Sequence, residues 1–452
     1  MSLDQQTPPT EAPPSDGGSM GLGGWLRLGL VLALLVWLTV ATGVYGLVMV
    51  LGLVLMITLH ELGHFVMARR AGMRCTEFFL GFGPRIWSFH RGGTEYGLKL
   101  IPAGAYVKII GMHDIEDVDP ADEPLTYRQQ PFWQRFGVAV AGSTMHFVIA
   151  LVLIYSVLVG FGVPGGSITS ADETRWRVGA VTDDSAAAAA GIETGDDIVA
   201  IDGEPVATFD DLREVVAARP DTDVVVTLEH EGETRDVTVG LGRHPDDRSI
   251  GYLGVGWSLP NERLGPVEAV PATFREFGSI SVQSVQALGR FFSPSGISDF
   301  AGQVRDANAD SAAAEGDAAD SSGGTTGASS GSSAAAADDD ASGENRVLSL
   351  LGVFRIGVDA GELGGVASLM LLFIAINVFI GLFNLLPVLP FDGGHVAIAI
   401  YEKFQEWRKG MTTRYLADVG RLIPMTYAVV GLMVMLFLST VYLDIANPIS
   451  VR

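Results

Sequence analysis

His60-Glu61-Leu62-Gly63-His64 closes an apolar run through Leu47, Val50, Leu53, Leu55 and Ile57. Two histidines four apart on a helix project from the same face, one turn apart. That spacing lets two imidazole nitrogens share one Zn²⁺, with Glu61 beside them to take a proton from a water the metal activates. The pattern recurs by chance in long chains, and its setting is what gives it weight. Ionisable groups are expensive at membrane depth and mark function there.

Working outward, residues 25–68 are almost continuously apolar, about twice the ~20 residues that one span needs. Thr42-Gly43 marks a possible break. Two readings follow: an extra span over 25–43 and a second over 44–71, or one long tilted helix. Arg69, Arg70 and Arg74 come next, and an excess of Arg and Lys marks the cytoplasmic side. Residues 1–24 are polar, acidic and rich in Pro and Gly, without the basic start of a secretory signal, so a disordered tail is expected. With 48% hydrophobic residues over 452, the chain is more apolar than a soluble multidomain protein. Its formal net charge of −23 excludes the basic face that nucleic-acid binding needs. Cys75 is the single cysteine, which rules out an intrachain disulfide and a cysteine-type zinc site.

Downstream, 72–135 carries Gly83-Pro84, apolar runs around Gly92-Gly93, and Ala105–Gly111, the pattern of strands joined by glycine turns. An edge of such a sheet beside the motif would receive an extended substrate by strand addition; a small structural sheet at the membrane surface is the other reading. His113, Asp114, Glu116 and Asp117 read as a solvated acidic loop rather than a metal cluster. A span follows at 136–162. Residues 170–262 are acidic with short alternating strands (Ile198–Ile201, Val224–Leu228, Val237–Val239) and an amphipathic helix over Phe209–Ala218. Ser185-Ala186-Ala187, Ala190-Gly191-Ile192, Gly195-Asp196-Asp197-Ile198 and Ile201–Val206 resemble a bacterial PDZ domain. Such a domain either takes a peptide terminus in its groove or serves as a spacer that limits access. A helical segment at 263–308 returns to the membrane surface, 309–345 is low-complexity linker, and 346–364 is juxtamembrane. Spans at 365–400 and 422–445 flank a basic segment at 401–421 with Lys403, Arg408, Lys409, Arg414 and Arg421, and a tail ends the chain at 446–452. The expected fold is a multi-pass α-helical membrane protein of about four core helices, with a membrane-associated β-hairpin or sheet and an inserted extracytoplasmic α+β domain.

A catalytic zinc needs a third protein ligand and an open position. Asn384-Leu-Leu-Pro387-Val-Leu-Pro390-Phe391-Asp392-Gly393-Gly394-His395 supplies the candidate, Asp392, at the same end of its span as the histidines. Pro387 and Pro390 break the helix there, and the freed carbonyls need partners or a wet cavity. His395 is the second choice of ligand. With three ligands in place, the chemistry expected is peptide hydrolysis within the membrane, with Glu61 moving the proton.

His60-Glu61-Leu-Gly-His64, the domain between spans and Asn384-Leu-Leu-Pro387…Asp392-Gly393 together resemble the site-2 protease family, in its bacterial branch that cleaves anti-sigma factors. The resemblance covers residues 47–448. It implies His60, His64 and Asp392 as Zn²⁺ ligands and Glu61 as catalytic base. It also implies a substrate contact at Asn384, with Pro387 and Gly393 in the same motif, and a β-loop that clamps the substrate. The implied substrate is a single-span membrane protein, pre-trimmed outside, in the inner (plasma) membrane of a bacterium. One departure is in the second span, which reads Gly142-Ser143-Thr144-Met145-His146 where the family has Gly-Pro and an Asn. His146 stands at the Asn position, either as a substrate or oxyanion contact or as a group that approaches the metal.

Overall fold

A computed structural model describes residues 21–112, 118–164, 167–169, 176–183, 185–230, 232–244, 248–258, 261–305, 349–411 and 413–446. The acidic group His113–Asp117 and the 309–345 linker lie outside the described residues. Four helices among those described are long and apolar enough to cross a membrane: Leu22–Arg70, Phe132–Phe161, Leu351–Asn384 and Val419–Ile445. The chain divides into two compact units, Met1–Ala150 with Gln283–Arg452, and Leu151–Val282.

In the first unit, α1 (Leu22–Arg70) leaves helical geometry at Gly43, whose φ of 70° and ψ of −176° suit only glycine. Arg27 donates to the Arg85 carbonyl at 2.5 Å. A straight helix would leave Arg27 about 50 Å from Glu61 at 1.5 Å per residue; the helix instead bends at Gly43, and its first half reaches the sheet at Arg85.

That sheet is built from β1 (Cys75–Arg91) and β2 (Thr94–Ile109). Glu77, Phe78, Phe79 and Leu80 are each paired on both sides, with Lys108, Val107, Tyr106 and Ala105 on one and Glu95, Tyr96, Gly97 and Leu98 on the other. Arg85 to Arg91 pair in turn with Lys99 to Thr94. Two long strands therefore fold into a sheet four segments wide, and Ala105–Ile109 forms one edge. Gly81, at a φ of 85°, makes the bend that permits this. The Phe65 ring docks α1 onto the sheet, 5.4 Å from Phe78 and 5.7 Å from Tyr96.

Helix α2 (Phe132–Ser156) begins four residues earlier than the 136–162 span read from hydropathy and continues as a π-helical turn over Val157–Phe161. The third-ligand motif differs more from expectation. The single span expected at 365–400 is two helices, α5 (Leu350–Asn384) and α6 (Asp392–Lys409), separated by turns. Pro387 and Pro390 provide no backbone donors for a continuous helix, so Asp392 opens a new helix instead of ending an old one. Helix α7 (Ile423–Ala446) completes the unit, with α4 assigned below.

Arg135 near the start of α2 and Glu402 on α6 are both buried, 4% and 2% exposed, with Nη1 2.5 Å from Oε2. This pair fixes α6, and with it Asp392, against α2. Removing one partner strands a buried charge and costs about 3–5 kcal/mol, whereas an apolar pair is close to neutral. The Arg135→Ala chain is therefore expected to unfold well below the native chain in detergent, and Arg135→Met with Glu402→Met to recover most of the loss. An unchanged midpoint for the single variant would refute a structural role for the pair.

The second unit is α+β. Strands Glu204–Pro205, Asp197–Ile201, Asp223–His230 and Glu233–Gly240 form one sheet in that order, and Val255–Ser258 pairs with Arg177–Val181 in another. Helix α3 (Phe209–Ala217) starts with a Thr208–Asp211 capping box. Val178, Ile198, Ile201, Leu212, Val226 and Leu228 make the core. The unit is wider than the 170–262 read from sequence. Val163–Pro164 pairs with Asn261–Glu262, and buried Glu276 on α4 (Ala269–Phe291) accepts from Ser167 and Thr169. These contacts add both stems to the domain.

Candidate metal centre

The α1 histidines are brought against α2 by two glycines. A Cβ on Gly63 would lie 2.7 Å from the Ala141 carbonyl oxygen. One on Gly142 would lie 2.4 Å from both His60 Cε1 and His64 Nε2. The α2 backbone therefore passes directly over the two imidazoles, leaving no room for any side chain at position 142.

His64 Nδ1 donates to the Val138 carbonyl at 2.7 Å. This bond sets the tautomer and leaves Nε2 with its lone pair facing inward. His64 Nε2 lies 3.2 Å from His60 Nε2 and 3.2 Å from Asp392 Oδ2, and His60 Nε2 lies 3.4 Å from that same oxygen. Asp392 Oδ2 is buried without a hydrogen-bond partner. His64 Nε2 and Asp392 Oδ2, two acceptors 3.2 Å apart, repel unless a cation lies between them. Ligands bound tetrahedrally at about 2.0–2.2 Å lie about 3.3–3.6 Å apart, so this triangle has the size of one face of a zinc site. Histidine and carboxylate donors with no thiolate also suit that metal. His60 Nδ1 has no acceptor, which makes His64 the more firmly oriented of the two.

Glu61 Oε2 accepts from the Val107 amide at 3.2 Å, on the sheet edge. His146 is buried on α2, its ring centroid 4.9 Å from that of His60, but it lies outside the three-residue ligand group. Its Nδ1 is 3.0 Å from Asn377 Oδ1, and Asn377 Nδ2 donates to the Phe373 carbonyl at 2.7 Å. The amide orientation makes His146 Nδ1 the donor and leaves its Nε2 an acceptor.

Within the broken segment, Asn384 is the last residue of α5. Gly393 is buried in the first turn of α6 and lines the same groove as Pro387. A Cβ there would meet the Leu385 and Leu386 carbonyls at 2.3 Å, so the glycine lets the first turn of α6 nest on the preceding turns. Pro387 is exposed and lines an apolar groove of about 390 Å³ with Leu385, Val396, Ala397 and Phe404. His395, the alternative ligand, sits edge-on to Tyr127 at 6.1 Å and is not in the ligand group. Val138 and Asn377 carry parts of the site that were not singled out from sequence, and Gly142 was quoted there only as part of the motif that ends in His146. For Asn377 a signal existed, an amide inside an apolar span; for Val138 there was none.

The family model described as peptidase family M50 matches residues 48–321 and 340–426. Among curated relatives, the chain is 30% identical over 430 residues to a protein named zinc metalloprotease Rip1 in Mycobacterium tuberculosis, covering 88% of this chain and 96% of that protein. Its counterpart of the same name in Mycolicibacterium smegmatis is 29% identical over 433 residues, covering 89% and 97%. Matched over most of its length and carrying the paired histidines with a distant aspartate in one buried triangle, the chain belongs to peptidase family M50, the site-2 protease family.

Proposed function

We propose that the chain is a zinc endopeptidase that hydrolyses a peptide bond within the membrane-spanning segment of a single-span protein. His60, His64 and Asp392 hold the metal, and Glu61 is the catalytic base. The observation that carries this reading is the buried triangle of 3.2, 3.2 and 3.4 Å among two imidazole nitrogens and a carboxylate oxygen. Zn²⁺ bound there supplies Lewis acidity, lowering the pKa of a water to about 7 and polarising a carbonyl.

The protein's part is orientation and proton transfer. Glu61 takes a proton from the attacking water and passes it to the departing amine nitrogen. His146 Nε2, aligned through Asn377, contacts the substrate near the reacting carbonyl. Ala105–Ile109 receives the unwound substrate as an added strand, which satisfies backbone groups that apolar surroundings leave unpaired. Asn384 and the exposed Pro387 border the path on the other side.

The substrate class is an anti-sigma-factor-type protein, already trimmed on the outer face. The 170–262 domain acts as a PDZ-type filter or terminus reader outside the cytoplasm, and the active site lies near the cytoplasmic face of a bacterial plasma membrane. Resemblance in the motifs supports these assignments, as do the basic residues after α1 and along α6.

The deciding experiment reconstitutes the full chain with a panel of externally truncated single-span proteins, and assays cleavage site and bound metal together. Cleavage inside the span by the native chain, lost in a chelator and restored by zinc, is expected. An Asp392→Ala chain is expected to lose zinc and cleavage together. Full zinc binding by that variant would refute the ligand assignment. Cleavage only in the flanking loops would refute the intramembrane reading.

A further inference from the structure

The edge that faces the catalytic glutamate is already in use. Ile110 N donates to the Arg74 carbonyl, on the β1 side. Amides along an extended strand alternate in direction, so those of Tyr106 and Lys108 point into the sheet, and those of Ala105, Val107 and Ile109 point out of it. The Val107 amide accordingly donates outward, and the acceptor it meets is Glu61 Oε2 at 3.2 Å. A strand added to this edge needs the same outward N–H, because an edge residue offers one donor and one acceptor to its new neighbour. One hydrogen cannot serve both partners at full strength.

We propose that the Val107 amide is a shared donor, holding the Glu61 carboxylate until an incoming substrate strand takes the amide and frees Glu61 for proton transfer. The inference rests on the proposed capture of substrate at Ala105–Ile109 and adds an order of events to it. Glu61 stays tied to the sheet while no strand is present, and it is released only by a partner that pairs with the backbone. A side chain that reaches the metal without forming a strand leaves the carboxylate tethered. The exchange involves no bond making or breaking beyond the hydrogen bonds: Val107 N–H leaves a carboxylate oxygen and meets a substrate carbonyl oxygen. Substrate selection then depends on a stretch able to unwind and extend, whatever its side chains, and Val107 acts as a positioning residue through its backbone.

The test compares two full-length, zinc-loaded chains that do not cleave. Glu61→Gln keeps an acceptor at the position, and Glu61→Ala removes it. The probe is a synthetic leucine-rich single-span peptide of about 20 apolar residues with a central Gly-Asn pair, in lipid nanodiscs. Backbone amide exchange is followed across residues 105–109, and peptide affinity is measured in both chains. Without peptide, the Val107 amide is expected to exchange at least tenfold faster in Glu61→Ala than in Glu61→Gln. Peptide is expected to bind the alanine chain about fivefold tighter, since no internal acceptor competes, and to slow Val107 exchange to the same level in both.

Equal exchange and equal affinity in the two chains would overturn the shared donor while leaving strand capture intact. Binding that leaves the 105–109 amides unprotected would overturn it by placing substrate elsewhere. Native chain assayed in parallel on the same peptide separates these results from failure of the protease reading, which would appear as zinc without cleavage. Loss of zinc from the alanine chain is checked directly; in that event Glu61→Ser, which shortens the side chain out of reach, replaces it in the same comparison.

Discussion

The Glu61→Gln chain is expected to retain its zinc while cleavage of a single-span substrate falls by roughly 10³–10⁴-fold, the upper half of what one proton-transfer group contributes. The amide is nearly isosteric with the carboxylate and still accepts from Val107, so the local structure has no reason to change. It cannot take a proton from water or deliver one to the leaving nitrogen. His60, His64 and Asp392 remain in place, so metal content measured by atomic spectroscopy should match the native chain. Loss of zinc along with activity would mean that Glu61 supports the ligand set. Activity within tenfold of native would remove Glu61 as the base and direct attention to His146, whose ring packs 4.9 Å from that of His60.

Gly142→Ala is the second variant with a large expected effect. One methyl placed 2.4 Å from His60 Cε1 and His64 Nε2 cannot be absorbed by a side-chain rotation, since both rings are held between helices. Either α2 retreats from α1 or the rings turn out of the triangle, and each outcome separates the ligands. Zinc affinity is expected to fall about 100-fold or more, at or beyond the upper end of effects seen when groups around a metal are altered. Gly137→Ala is the control on the same helix. Its Cβ would meet only the flexible end of Met67, at 3.2 Å, and zinc binding should be unaffected. Native zinc affinity in Gly142→Ala would show that the α1–α2 approach is looser than these distances imply.

How much of this was legible in the residues differs from one part of the site to the next. His60 and His64 needed only helical periodicity, because four residues is one turn and the face follows. Asp392 needed a second signal, the proline pair that interrupts an apolar run. There the boundary was misjudged, since hydropathy continues across a break that hydrogen bonding does not. Residues 365–400 are apolar enough to read as one span, yet α5 stops at Asn384 and α6 starts at Asp392. The inserted domain was legible in its strands but not in its extent. The pairing of Val163–Pro164 with Asn261–Glu262 joins segments that give no local sign of each other.

The sequence by itself determined the class of the protein: apolar runs of spanning length, a histidine pair at helical spacing, and a carboxylate at a helix break. These are local patterns, set by backbone geometry and by the cost of polar groups in apolar surroundings. The tertiary structure alone decided which atoms meet. The Val138 carbonyl orienting His64 from 74 residues away, Asn377 orienting His146 across 231, and the Val107 amide reaching Glu61 across 46 are contacts between separate elements. Each depends on how α1, α2, α5 and the folded-over sheet pack. Packing is settled by close approach at positions such as Gly63 and Gly142, where what matters is the absence of a side chain, and its meaning exists only beside the neighbour that fills the space.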